Sequence, residues 1–145
     1  MKITDWKSCK DTLTAKIIAP DGGLIKSLLE TSKEKMLSSE MLKMSRVTAA
    51  SKFTLAYDSL REALEALAVR KGYKIYNHEC YTYFLKEIMN ESSKGDDFDS
   101  IRKVRNAVNY YGKKLSPEKS ENLIKRINTL RDFVLELLNK GAKQK

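Results

Sequence analysis

From Leu123 the chain repeats an apolar residue at alternating spacings of four and three: Leu123, Ile127, Leu130, Val134 and Leu137. That rhythm keeps one stripe on one face of an α-helix, and such a stripe is stable only when buried against other elements. Ser116-Pro117-Glu118 sets the start, with an N-cap serine, proline at the first helical position and an acid in the first turn. Gly141 is expected to end this helix, leaving 140–145 as a frayed basic tail.

The partners it needs lie upstream. Leu24 to about Met44 reads as one helix, with Leu24, Ile25, Leu28, Leu29, Met36, Leu37, Met41 and Leu42 as its apolar content and its methionines filling core gaps. Pro20-Asp21-Gly22-Gly23 breaks the chain before it, and Asp21 caps it. Ser45 to Arg70 is a second helix that buries Phe53, Ala56, Leu60, Ala63, Leu64 and Leu67, ends at Gly72, and carries enough alanine for a neighbour to approach closely. Lys71 to Asn77 reads as a tight turn, and His78 to Met89 as a shorter helix with Cys80, Tyr81, Phe84, Leu85 and Ile88 inward. Glu91 to Asp97 reads as a polar loop, with Asp96 or Asp97 capping a helix that stops at Gly112 in a left-handed conformation. A short helix over Thr4 to Lys16 packs through Trp6, Cys9, Leu13 and Ile17. No segment sustains an alternation of period two, so the fold expected is all-α. It is one domain over 1–145: an up-and-down bundle of four main antiparallel helices plus a shorter additional helix, with 1–20 as an N-terminal extension.

No run of about 18 apolar residues is present, and the N-terminus has no apolar core of a signal peptide; a cytoplasmic protein without a membrane span is expected. In that compartment Cys9 and Cys80 are expected as free, buried thiols. His78 and Cys80 are too few for a zinc site, no Glu-x-x-His pair or phosphate-binding glycine loop occurs, and no metal or cofactor is expected. His78 is the only histidine, at a helix start where a capping or surface role is ordinary. Any mechanism that uses two histidines of one chain is therefore excluded.

The net charge of +9 points towards an anionic partner. It concentrates in Ile101 to Lys114, which holds five Lys or Arg and no acid. At about 100° per residue Arg102, Arg105, Asn106 and Asn109 share one face, with Ile101, Val104, Val108 and Tyr111 opposite. Two guanidinium groups and two amides on one face suit phosphate. The competing arrangement is an intramolecular network, with Arg102 or Arg105 bound to Asp58, Glu62 or Glu65.

The run Arg102-Lys103-Val104-Arg105-Asn106-Ala107-Val108-Asn109-Tyr110-Tyr111-Gly112 resembles the signature helix of the HEPN superfamily (higher eukaryotes and prokaryotes nucleotide-binding). Ile18 to Asp21 with Ile25 to Ser32, and Tyr57 to Ala68, are similar to the first and second helices of its prokaryotic members, so the resemblance covers about residues 18 to 138. It implies a homodimer with facing signature helices and roles in RNA binding or cleavage. It also implies pairing, as the toxin half, with a minimal nucleotidyltransferase, and Tyr111 matches the tyrosine such a partner modifies.

In ribonuclease members an arginine is followed after four to six residues by histidine. Arg102 is followed by Asn109, and counting from Arg105 reaches Tyr110. Asparagine cannot move a proton near pH 7, and acid–base help is worth about 10²–10⁴-fold. Binding of RNA or a nucleotide through Arg102, Arg105, Asn106, Asn109, Tyr110 and Lys113 is therefore expected. A metal-independent endoribonuclease, for which Arg102, Arg105, Asn109 and Tyr111 are the candidates, is expected to be weak or inactive. The reading from another class is a non-catalytic homodimeric interaction module whose Arg/Asn face is a protein interface or a structural network.

Overall fold

A computed structural model describes residues 2–143, with side chains described up to residue 140. The order is α1 (Trp6–Asp11), β1 (Ala15–Ile17), α2 (Gly22–Met41), α3 (Ala49–Arg70), β2 (Tyr73–Ile75), α4 (Glu79–Tyr83), α5 (Ser92–Tyr111) and α6 (Pro117–Lys143). α4 runs on without a break into a π-helical turn over Phe84–Ile88. Four long helices are thus present, as the periodicity predicts, with the short α1 and α4 beside them.

α3 is the centre. It packs against α2 and α6, with α5 touching it as well, and Phe53, Ala56, Tyr57, Leu60, Ala63 and Leu64 are fully buried. Alanines 49, 56, 63, 66 and 68 are all buried, which allows the close approach expected of them. From α6 it receives Leu123, Ile127, Leu130 and Val134; the fifth buried residue of the stripe is Leu138 and not Leu137, which is only partly covered. On α2 only Ile25 and Met36 of the expected apolar set are buried, while Leu37 and Met41 face out. Buried Ser32 and Ser39 take positions on that interface instead, and each hydrogen-bonds α3 backbone, at Ser59 and Lys52.

The helix ends follow their local chemistry. Asp21 accepts from the Leu24 amide, Ser116 from the Lys119 amide, and Gly112 turns left-handed at φ 63°. Gly141 does not end α6, which continues to Lys143; the last two residues of the expected tail lie outside the described ones. Glu91–Asp97 is not a loop. α5 already begins at Ser92, so neither Asp96 nor Asp97 is its cap. The reason is Gly95, which lets α5 lie directly on the backbone of Thr82 and the stem of Lys86.

The first twenty residues depart most from expectation. α1 stops at Asp11 because Leu13 adopts φ 60°, and the chain then runs extended as β1 rather than on as helix to Lys16. β1 pairs antiparallel with β2, Ala15 opposite Ile75 and Ile17 opposite Tyr73. The expected turn at Lys71 to Asn77 is therefore a strand, entered through Gly72 at φ 90°. Trp6 packs edge-on to Tyr73, centroids 5.2 Å apart, and its amide donates to Glu87 Oε2 at 2.7 Å. Cys9 and Cys80 are joined in a disulfide with their Cα atoms 6.0 Å apart. The free thiols are thus corrected: pairing of β1 with β2 places α1 on α4, within disulfide reach. Among the described residues no helix is long and apolar enough to cross a membrane.

Candidate functional site

Two neighbouring segments, 76–79 and the second half of α5, enclose a cleft of about 360 Å³ lined by Tyr76, Asn77, His78, Glu79, Arg102, Arg105, Asn106 and Tyr110. The disulfide and the strand pair hold the first segment: Cys80 follows directly, and the Tyr76 amide donates to the Thr14 carbonyl at 2.7 Å. The segment at 1–20 thereby fixes one wall of the cleft.

The two arginines differ in charge balance. Arg102, its side chain 11% exposed, donates through Nε and Nη2 to Asp99 Oδ1 at 3.0 and 2.7 Å and lies 3.5 Å from Glu79 Oε2. Asp99 also meets Lys103 at 3.1 Å. Burial works to raise the Asp99 carboxyl, but the hydrogen bonds from Arg102 and Lys103 prevail and hold it below its ordinary value. Of the three expected acids, Glu62 is engaged with Lys35 and Glu65 with Arg61 and Lys74, and Asp58 is in no ion pair with either arginine.

Arg105 has no carboxylate partner among the described residues. Its guanidinium carbon lies 5.5 Å from the Tyr57 ring centroid and 5.3 Å from that of Tyr110. Nη1 donates to the Tyr110 hydroxyl at 3.1 Å and reaches Asn106 Oδ1 at 3.5 Å. Nε is buried with no hydrogen-bond partner. A buried, unpartnered charged donor at a cleft is a position where an acceptor is wanted.

His78 belongs to this site. It precedes α4 but its side chain does not cap that helix; Asn77 Oδ1 accepts from the Glu79 amide instead. The imidazole Nδ1 lies 3.0 Å from the Tyr57 hydroxyl. Burial first, then the charges of Arg61, Arg105 and Arg102, lower its pKa to about 4, so the ring is neutral at pH 7. Tyr57 is pushed well above its ordinary value, chiefly by burial, and stays a phenol. The sequence holds no signal for this placement, because the α5 motif and the residue before α4 meet only through the fold.

Of the residues expected at the site, Arg102, Arg105, Asn106 and Tyr110 come together. Asn109 is exposed and outside the cleft lining. Tyr111, expected inward, is 83% exposed because it closes the last turn of α5, beyond the core. Lys113 lines a separate basic cleft. Among the described residues no group of three or more His, Cys, Asp or Glu is placed to hold a metal ion. Compared with protein-family models, with curated proteins and with solved structures, the chain matches none.

Proposed function

We propose that the protein binds RNA or a nucleotide by phosphate at the cleft between the 76–79 segment and α5, as a HEPN-like bundle. The observation that carries this reading is Arg105, a half-buried cation with an unpartnered Nε and no carboxylate beside it. A phosphate oxygen would accept from the Arg105 guanidinium where it meets the cleft, with Asn106 and the Tyr110 hydroxyl as further donors. Tyr76 and Tyr110, both exposed, offer faces for a base. Arg102, already bound to Asp99 and Glu79, shapes the cleft rather than supplying its free charge. In this reading the protein is a homodimer, with a minimal nucleotidyltransferase as a candidate partner through the exposed Tyr111.

The test is fluorescence anisotropy with labelled RNA and with a competing nucleotide. Binding should weaken as salt rises and fall at least tenfold in Arg105→Ala with the circular dichroism spectrum unchanged. A variant that binds normally, or that changes oligomeric state instead, would turn this face over to the interaction-module reading.

His78 favours a second reading, metal-independent cleavage of RNA. With Nδ1–H donated to the Tyr57 oxygen, Nε2 carries the lone pair that a general base needs. A pKa of about 4 makes it a weak base. Slow cleavage in excess chelator that disappears in His78→Asn, and is indifferent to Asn109→Ala, would establish it.

A further inference from the structure

Beside the cleft just described, α5 forms the edge of a second one. It has a volume of about 460 Å³ and is lined by Arg46, Ala50, Val108, Gly112, Lys113, Lys114 and Leu115. Three of these are cations and none is an acid. Among the described residues none of Arg46, Lys113 and Lys114 lies in an ion pair, whereas Arg102, Lys103, Lys86, Lys74 and Lys35 all do. The second cleft thus carries positive charge that no carboxylate in its lining offsets, and Arg105 in the first has no carboxylate partner among the described residues. Ala50, Val108 and Leu115 supply an apolar floor.

The two clefts share a helix. Arg105 and Gly112 are seven residues apart, two turns and about 10 Å along the axis, and return to nearly the same face. Tyr110 and Tyr111 stand on that last turn, 67% and 83% exposed. Tyr110 lines the first cleft and Tyr111 lines neither, so the two rings offer exposed faces near the clefts on which bases of a strand can stack while its phosphates meet the cations. Stacking of this kind needs unpaired bases.

We infer that the second cleft takes a further phosphate of the same ligand, so that the ligand is a single-stranded oligonucleotide and not a free nucleotide. This rests on the reading of the first cleft as a phosphate site. A nucleoside monophosphate has one phosphate and engages the first cleft alone, through Arg105. A strand engages both.

The experiment uses the full chain, a labelled single strand of about 12 nucleotides, within the range of roughly 4–16 that one single-strand-binding fold covers, and uridine monophosphate as the short probe. Arg46, Lys113 and Lys114 are exposed, so the triple change Arg46→Gln, Lys113→Gln, Lys114→Gln leaves the core untouched. It should weaken strand binding tenfold or more and leave monophosphate binding unchanged. It should also flatten the logarithmic salt dependence by about 0.7 for each phosphate that is no longer neutralised. Unchanged strand affinity in the triple variant, with monophosphate binding still abolished by Arg105→Ala, overturns the second cleft alone. Equal affinity for a duplex of the same sequence, or a changed oligomeric state in the triple variant, overturns it as well. Absence of binding by either probe overturns both readings.

Discussion

The Tyr57 hydroxyl and His78 Nδ1 lie 3.0 Å apart, so that the central helix α3 reaches through a single hydrogen bond to the wall of the cleft. The bond holds a neutral imidazole that is half-buried and beside three arginines, and burial first, then their charges, are why its proton is held so weakly. An unfolded chain takes up that proton near pH 6.5 and the folded one only near pH 4. Between these values the unfolded state binds more protons, so stability is full above pH 6.5 and is lost as the pH falls towards 4. For a half-buried ring the loss is on the order of 1–2 kcal/mol after allowing for solvent screening. Urea unfolding at pH 7 and pH 4.5 should show this difference in the parent protein and not in His78→Asn, in which the remaining carboxylates still titrate. Equal pH dependence in both proteins would remove His78 as its source.

The Cys9–Cys80 disulfide closes a loop of 71 residues in sequence separation. In the chain-entropy view such a crosslink stabilises by about 4 kcal/mol, with measured cases mostly at 2–4. Reduction, or Cys9→Ser, should therefore lower the urea midpoint clearly. It should also weaken ligand binding, because Cys80 follows the segment that forms one wall of the cleft. A midpoint that does not move on adding dithiothreitol would show that the two sulfurs are not joined in solution.

These two features also show what sequence periodicity reaches. The stripe Leu123, Ile127, Leu130 and Val134, the N-cap Ser116 and the left-handed Gly112 are local patterns, and each is found where the pattern puts it. Three-residue strands are too short to show alternation, so β1 and β2 read as helix and turn. The disulfide then follows from their pairing and is invisible without it. At the site, Arg102, Arg105, Asn106 and Tyr110 were legible because one helix carries them. Asp99 stood one turn upstream of Arg102, just outside the basic run, and its pairing with Arg102 was within reach of i,i+3 reasoning. His78 was not, since its position depends on packing between α3, α4 and α5.

Gly95 makes a further prediction opposite to helix propensity. Alanine is ordinarily favoured over glycine within a helix by about 1 kcal/mol. Here a Cβ would overlap Lys86 Cγ and lie 2.9 Å from the Thr82 carbonyl oxygen, a backbone atom that cannot turn aside. Gly95→Ala should therefore destabilise by about 1–3 kcal/mol, the usual cost of overpacking. Gly22, on α2, has nothing within 4 Å of an added Cβ and serves as the control. Thermal melting of the two variants should move in opposite directions or leave Gly22→Ala unchanged. An unaltered melting temperature in Gly95→Ala would mean that α5 does not lie directly on α4.

Arg102 and Arg105 sit one helical turn apart and should separate stability from binding. Arg102→Ala leaves Asp99 half-buried with Lys103 and the Thr82 hydroxyl as its remaining partners. Losing hydrogen bonds to a charged group of this kind costs about 1.5–3 kcal/mol, and the Asp99 carboxyl, no longer held down by Arg102, should titrate higher. Arg105→Ala removes two stacking interactions with tyrosine rings, worth about 0.5–1 kcal/mol where exposed, and also removes an unsatisfied buried donor, which offsets part of that loss. Urea unfolding should thus rank Arg102→Ala as the less stable variant, while anisotropy with RNA ranks Arg105→Ala as the weaker binder. The reverse order in both assays would mean that Arg105 is the structural arginine and Arg102 the one that meets the ligand.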